Sequence, residues 1–142
     1  MLHKAFSLML LFTLTAACTW AAPDTPSGIS PEVYHRLDRR VGKLLDYYNQ
    51  DQFRQIYQDK SLNVPLSKLI TPQGQFAYYA DLKKQWGKCL GRQLRLRESA
   101  FNGAVGQLIY DARMEKGPVR LRCDFYQHGD DYTLGLVNMD PP

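Results

Sequence analysis

The chain has 142 residues, a formal net charge of +4 and 44% hydrophobic residues. That length allows one domain of ordinary globular composition. The small excess of cations does not demand nucleic acid as a partner, and the export predicted below argues against it.

The N-terminus has the pattern of a signal peptide. Lys4 provides a positive start, residues 5–14 form an apolar core, and small residues follow. The apolar run is too short to cross a bilayer comfortably as a retained helix. We therefore predict a signal peptide over residues 1–22 and a protein that is exported, either periplasmic or secreted.

Cys18 raises the question of lipid attachment. A lipoprotein signal places Leu about three residues before the cysteine, but Leu14 lies four before it. Ordinary cleavage after Ala21 leaves the small Thr19 at the −3 position, which fits. We expect free release with 23–30 as a Pro/Ser/Gly linker. The alternative is a lipid anchor on Cys18, and only that alternative implies a membrane.

Helices are predicted first along the mature chain. Ser30 caps a helix whose first position is Pro31. Apolar residues then recur at helical spacing at Tyr34, Leu37, Val41, Leu44 and Tyr48. We expect Asp51 to cap a second short helix, one helical turn over residues 66–70, and a third helix from Pro72 to about Gly87.

After Gly87 the period of the apolar pattern changes to two, which predicts strands over 89–100, 104–115, 118–127 and 131–138. Asn102-Gly103, Lys116-Gly117 and Gly129-Asp130 are expected to form the turns. Helices followed by such a meander predict an α+β fold, with N-terminal helices packed on one face of a four-stranded antiparallel sheet.

The turns suggest a register with a continuous apolar inner face. The expected pairings are Met114–Val119, Tyr110–Cys123, Phe125–Leu134, Cys123–Leu136 and, after one extra residue near Asn102-Gly103, Leu96–Tyr110.

The same register fills the other face of the sheet with arginines. It places there Arg95, Arg97, Arg113, Arg120 and Arg122, with Asp111 and Asp124 as the acids. Arg113 is expected opposite Arg120, with no acid to offset that pair. This surface is then either a solvated face, a docking site for an acidic protein partner, or a homodimer face.

Cys89 and Cys123 are predicted to stay reduced even though export favours disulfides. They fall on strands two apart. That separation of about 10 Å exceeds the roughly 7 Å between Cα atoms that a disulfide tolerates.

Two stretches, "LLDYYNQDQFRQIYQDKS" and "TPQGQFAYYADLKKQWGKCLG", in this order of elements, resemble the nuclear transport factor 2-like (cystatin-like, cone-shaped) superfold. The resemblance is closest to small uncharacterised domains of bacterial exported proteins, and it covers residues 31–138. It implies a conical pocket between sheet and helices and frequent dimers. The superfold hosts enzymes, carriers and assembly modules alike, so it does not decide function.

The lining expected for such a pocket is mainly apolar. Arg92 and Glu98 share the inward parity and are either a working pair or solvated charges at the rim. His35 and His128 lack the spacing of metal ligands, and we expect no metal or cofactor. The pocket candidates are Tyr48, Phe53, Tyr79, Trp86, Leu96, Tyr110 and Phe125. Aromatic bodies with hydroxyl tips suit an amphipathic ligand.

The sequence as a whole predicts a non-enzymatic cell-envelope module that binds a small amphipathic ligand or a partner protein. The alternative is an enzyme of the same fold acting on a small apolar substrate in the pocket. A third possibility is a protein whose pocket is filled by its own side chains and which works only through its surface.

Overall fold

The computed structural model describes residues 29–62 and 72–142. Three helices, α1 (Pro31–Asn49), α2 (Phe53–Gln58) and α3 (Pro72–Trp86), precede four strands, β1 (Cys89–Ala100), β2 (Val105–Met114), β3 (Gly117–His128) and β4 (Asp131–Asp140). The predictions for the signal peptide, Cys18, most of the linker and the helical turn at 66–70 lie outside the described residues.

Helix α1 begins as its sequence predicts. The Ser30 hydroxyl accepts a hydrogen bond from the Val33 amide at 3.2 Å, and Pro31 occupies the first turn. Satisfying one of the free amides at a helix start stabilises it by about 1 kcal/mol. The apolar stripe is buried against the sheet through Leu37, Val41, Leu44, Leu45 and Tyr48.

The boundaries of the other two helices agree with the sequence prediction to different degrees. Asp51 does not cap α2: it has a φ of 60°, and the residue before the helix, Gln52, makes no side-chain capping bond. Asp51 instead forms an ion pair with Lys83 of α3 at 2.8 Å. Helix α3 ends next to Gly87, as predicted, where a φ of 74° suits glycine.

The strands form one antiparallel sheet in the order β1-β2-β3-β4. The core lies between the sheet and the helices, where Leu108, Tyr110, Leu121 and Phe125 are almost fully buried. The α+β fold predicted from the sequence is confirmed.

The predicted pairing of β2 with β3 is wrong by two residues. Met114 pairs with Gly117 rather than Val119, and Tyr110 pairs with Leu121 rather than Cys123. The turn is therefore the tight Glu115-Lys116, whose two amides donate to the main-chain carbonyls of Lys88 and Trp86. A shift of two residues keeps every side chain on the same face, so the inner face of this hairpin is unchanged.

A bulge in β1 overturns a second predicted pairing. Leu94, not Leu96, pairs with Tyr110, and the register shifts between Leu94 and Leu96. The predicted extra residue near the hairpin tip thus lies within the strand. Leu96 pairs with Ile109 on the outer face and is 42% exposed, whereas Arg97 turns to the inner side opposite Leu108.

A further bulge changes the end of β4. The Phe125–Leu134 pairing is confirmed, but Gly135 is then left unpaired and Cys123 pairs with Val137 instead of Leu136. Leu136 consequently turns outward and Val137 is buried.

Cys89 and Cys123 do not form a disulfide, as predicted. Cys123 is fully enclosed in the core, and burial raises the pKa of its thiol above the ordinary value.

Candidate functional site

A polar cleft lies between α1 and the β1–β2 side of the sheet. It has a volume of about 320 Å³ and is lined by Tyr34, Asp38, Arg92, Leu94 and Tyr110.

Regular secondary structure brings these side chains together. Tyr34 and Asp38 are four residues apart on α1, so they lie on the same side of the helix. Arg92 and Leu94 are two residues apart on β1 and share the inner face, opposite Ala112 and Tyr110 of β2. The cleft is therefore where this part of α1 crosses the two strands.

The carboxylate of Asp38 joins the helix to the sheet. The Tyr110 hydroxyl donates to Asp38 Oδ1 at 2.7 Å, and Arg92 Nη2 lies 3.2 Å from the same oxygen. Arg92 Nη2 also donates to the main-chain carbonyl of Asp38 at 3.2 Å. Hydrogen bonds to an ionised partner are among the stronger ones in proteins, so this cluster fixes the geometry of the cleft.

The protonation states in the cluster follow from its environment. Burial raises the pKa of Tyr110 far above its ordinary value, and the hydrogen bond to Asp38 adds to that effect. For Arg92, burial is the largest single effect and lowers the pKa, but the charge and hydrogen bond of Asp38 together with Tyr110 outweigh it, and the pKa is raised. Near neutral pH the cleft therefore contains a neutral tyrosine and a guanidinium cation.

Arg92 uses only part of its hydrogen-bonding capacity. Its guanidinium carbon lies 5.4 Å from the centre of the Tyr110 ring. Gly42 makes room for the group, since a Cβ there would lie 3.4 Å from Arg92 Nη2. Arg92 Nε is buried and has no hydrogen-bond partner in the part of the chain that the structure describes.

A second guanidinium borders the cleft because of the β1 bulge. The guanidinium carbon of Arg97 lies 5.3 Å from the centre of the Tyr34 ring. Among residues 29–62 and 72–142 no carboxylate forms an ion pair with Arg97. Within the part of the chain that the structure describes, its charge therefore meets an aromatic face and solvent.

Most of the predicted pocket residues belong to the core. Tyr48, Phe53, Tyr79 and Phe125 are buried among other side chains, Trp86 is partly buried against them, and Leu96 is on the outer face. Of the predicted set only Tyr110 lines the cleft. The buried members of the set pack in the core instead of lining this cleft.

Sequence reasoning missed Tyr34 and Asp38 as site residues. Arg92 was singled out, but with Glu98, which lies on the outer face, whereas its partner is Asp38. One signal was available: Asp38 follows Tyr34 by four residues and directly adjoins the apolar stripe of α1.

The outer arginines are also arranged differently from the prediction. Arg97 is not among them, and Arg113 is opposite Pro118 rather than Arg120. Arg120 lies between Asp111 and Asp140. The expectation that no acid faces Arg120 is wrong.

No group of His, Cys, Asp or Glu side chains in the described residues is arranged to hold a metal ion. No helix within residues 29–62 and 72–142 is long and apolar enough to cross a membrane.

The fold and the cleft define an α+β domain with a helix-covered antiparallel sheet and a cationic cleft. No protein-family model matches the chain, and no curated protein matches it. Among solved structures, the crystal structure of a DUF4783 family protein from Bacteroides ovatus ATCC 8483 is similar, with 14% identity and a TM-score of 0.42. The similarity covers 51% of this chain and 64% of that one, which is less than two thirds of its length.

Proposed function

We propose that this protein is a non-enzymatic module of the cell envelope whose cleft binds a small amphipathic ligand with an anionic group. The observation that carries the proposal is the position of Arg97. The β1 bulge turns it to the cleft side, where it stacks on Tyr34 and forms no ion pair with any acid among the described residues.

The cleft offers separate partners for the two parts of such a ligand. Arg97 and Arg92 supply cations, and a guanidinium suits a carboxylate or phosphate because its donors form a fork. Tyr34 and Leu94 supply a limited apolar surface beside these cations in a lining that is mainly polar. This combination of charged and aromatic lining supports an amphipathic ligand.

The polar groups of the cleft are better suited to binding a ligand than to catalysis. A general acid or base needs a pKa near the working pH and a proton that it can exchange. Asp38 Oδ1 already accepts from both Tyr110 and Arg92, and the pKa of Tyr110 is raised away from neutrality. These features support a fixed binding surface rather than an enzyme.

Dodecanoate is a suitable probe, studied by titration calorimetry below its micelle concentration. We expect saturable binding with one site per chain. Arg97→Gln should weaken it by about tenfold or more, since a lost bond to a charged group is worth about 1.5–3 kcal/mol. Arg113→Gln, on the outer face, is the matched control and should bind like the wild type. The cation dodecyltrimethylammonium should not bind.

Two results would contradict the proposal. One is the absence of saturable dodecanoate binding by the wild-type protein. The other is equal affinity of the wild type and Arg97→Gln, which would place the ligand elsewhere.

We also propose that the fold belongs to the nuclear transport factor 2-like class and that the protein is exported. The class is supported by the order of helices and strands and by the cleft between α1 and the sheet. Export is supported by the apolar N-terminus.

The mass of the native protein tests the export proposal. We expect a mature chain that begins near position 22 and carries no lipid. A diacylglycerol group on an N-terminal Cys18 would show instead that the protein is anchored at the envelope.

A further inference from the structure

A second pocket lies between the short helix α2 and the first half of α3. It has a volume of about 230 Å³ and is lined by Arg54, Tyr57, Gln58, Gln73 and Phe76. It shares no lining residue with the cleft between α1 and the sheet. Pockets that enclose drug-sized molecules have roughly 300–1,000 Å³, so this smaller pocket takes about one ring of a ligand.

Helical spacing brings the lining residues together. Arg54 and Gln58 are four residues apart on α2, with Tyr57 beside them. Gln73 and Phe76 are three residues apart on α3. Side chains at these spacings lie on the same side of a helix. Each helix therefore contributes one aromatic ring and one carboxamide, and α2 adds a guanidinium.

Phe76 is an exposed ring held in place by a buried one. Its ring centre lies 5.5 Å from that of Phe53 at an interplanar angle of 75°, and Phe53 is buried in the core. Phe76 is nevertheless 42% exposed. An edge-to-face contact of this kind is a favourable arrangement of two aromatic rings. The pocket thus offers an apolar face that is already ordered, which lowers the entropy cost of binding.

Arg54 gives the pocket its charge. It is the one charged side chain among the described lining residues. It is exposed, and no acid within residues 29–62 and 72–142 forms an ion pair with it. The guanidinium presents a fork of donors that matches a carboxylate. The pocket therefore favours a ligand that carries a carboxylate over a neutral or cationic one.

The carboxamides of Gln58 and Gln73 indicate the chemistry of the rest of the ligand. A carboxamide both donates and accepts hydrogen bonds, as a hydroxyl group does. A pyranose ring carries hydroxyls along its edge and C–H groups on its faces, so its edge suits the carboxamides and its face suits the ring of Phe76. An aliphatic chain would displace water from both carboxamides without replacing the hydrogen bonds.

We propose that this pocket binds one uronate ring, a pyranose with a carboxylate, of an acidic saccharide chain. The carboxylate pairs with Arg54, the ring face stacks on Phe76, and the hydroxyls bond to Gln58 and Gln73. The neighbouring rings of the chain stay outside, since the pocket has room for about one. This site is additional to the cleft proposed for an amphipathic ligand and does not depend on it.

Titration calorimetry of the mature protein with tetragalacturonate tests the proposal. We expect saturable binding, and binding of the neutral maltotetraose that is weaker by at least about tenfold, because the bond to a charged group is missing. Arg54→Gln should remove this preference, so that both saccharides bind with similar, low affinity. Arg39→Gln, which removes an exposed cation of α1, is the matched control and should bind like the wild type.

A second variant tests the stacking contact. Phe76→Leu keeps an apolar side chain but removes the ring, and it should weaken tetragalacturonate binding by about fivefold or more. Thermal unfolding checks that this variant is folded. Because Arg54 is exposed, Arg54→Gln keeps the fold and decides the question if Phe76→Leu does not fold.

Competition separates this pocket from the cleft. Saturating dodecanoate should leave the affinity for tetragalacturonate unchanged, and a protein that binds no dodecanoate should still bind the saccharide. Four results would each overturn the proposal: no saturable binding of tetragalacturonate by the wild type, equal affinity for maltotetraose, equal affinity of the wild type and Arg54→Gln, or displacement of the saccharide by dodecanoate.

Discussion

Asp38 is one of the residues of α1 that tie this helix to the sheet by polar contacts. Tyr110 is almost completely buried, so its hydroxyl would lack a partner without this carboxylate. Leaving a buried donor unsatisfied costs about 1–3 kcal/mol, so an acid at position 38 both satisfies Tyr110 and holds Arg92.

Tyr110→Phe tests this contact. We expect the free energy of unfolding to fall by about 1.5–3 kcal/mol, the usual size of a hydrogen bond to a charged group. Denaturant unfolding measures the loss. Tyr126→Phe, on the exposed outer face, is the control and should change stability little. Equal stability of the two variants would show that the Asp38–Tyr110 bond contributes nothing.

Asp59 is a second acid whose environment has a measurable consequence. Partial burial works against its ionisation, but hydrogen bonds from Lys43, Ser61 and Tyr47 outweigh burial and hold its pKa below the ordinary 3.8. A depressed pKa contributes stability that is present above the unfolded-state pKa and lost as the pH falls towards the folded-state value.

The wild type should therefore lose stability between about pH 5 and pH 2, the range in which unfolded aspartates take up protons. Asp59→Asn should show a shallower loss over that range. Urea unfolding at several pH values measures both slopes, with Asp46→Asn, an exposed acid of α1, as the control. Identical pH dependence of the wild type and Asp59→Asn would contradict the expected role of Asp59.

At the scale of elements, the junction between α3 and β1 depends on Gly87. Its carbonyl accepts from the Tyr48 hydroxyl at 2.9 Å, and the next amide, that of Lys88, donates to Glu115 Oε2 at 2.8 Å. A Cβ on Gly87 would lie 2.5 Å from that same oxygen. This one position thus links α1, α3 and the β2–β3 turn.

Gly87→Ala should destabilise the protein by more than the roughly 1–2 kcal/mol that a left-handed conformation costs an ordinary residue, because Glu115 must also move. Gly129→Ala is the matched control. Gly129 also has a positive φ, of 60°, but nothing lies within 4 Å of an added Cβ. The two melting temperatures give the comparison, and similar losses would show that the contact with Glu115 is unimportant.

The elements themselves could be predicted from the sequence, since each depends on local patterns. Ser30 and Pro31 marked the start of α1, and the change of period after Gly87 marked the sheet. The pairing of β2 with β3 could not be fixed, because a shift of two residues satisfies the same alternation.

The bulges in β1 and β4 could not be predicted from the sequence either. Leu94 and Leu96 have the same parity, and no property of either residue shows that an extra residue between them sends them to opposite faces. The place of Arg97 in the candidate site could not be predicted for the same reason, because Arg97 reaches the cleft only through the bulge. Asp38 was missed because its role depends on how α1 packs on the sheet, which no local pattern specifies.

For the whole molecule, buried tyrosines define the upper limit of the pH range over which the fold is stable. Burial raises the pKa values of Tyr48, Tyr79 and Tyr110 above the ordinary 10.0. A raised pKa contributes stability that is complete below the unfolded-state value and is lost as the pH rises through the folded-state value.

We therefore expect stability to decline above about pH 10, with these three tyrosines ionising only as the protein unfolds. Absorbance at 295 nm and far-ultraviolet circular dichroism, recorded in one alkaline titration, should show part of the phenolate signal rising together with the loss of structure. Complete ionisation near pH 10 with an intact dichroism spectrum would contradict the burial of the three phenols.

The two edge strands of the sheet, β1 and β4, differ in how far they are covered, which matters for amyloid-like growth. The β4 margin is occupied at two points, where Leu134 donates to the Leu62 carbonyl and Tyr78 donates to that of Val137. No strand in the described part of the chain pairs with the outer side of β1. An extended segment of another chain can pair stably with an exposed edge strand only through an uninterrupted row of main-chain hydrogen bonds. The register shifts of β1 divide its edge into short runs. We expect the distortion that turns Arg97 to the cleft to hinder fibril formation as well, and straightening β1 to remove both properties together.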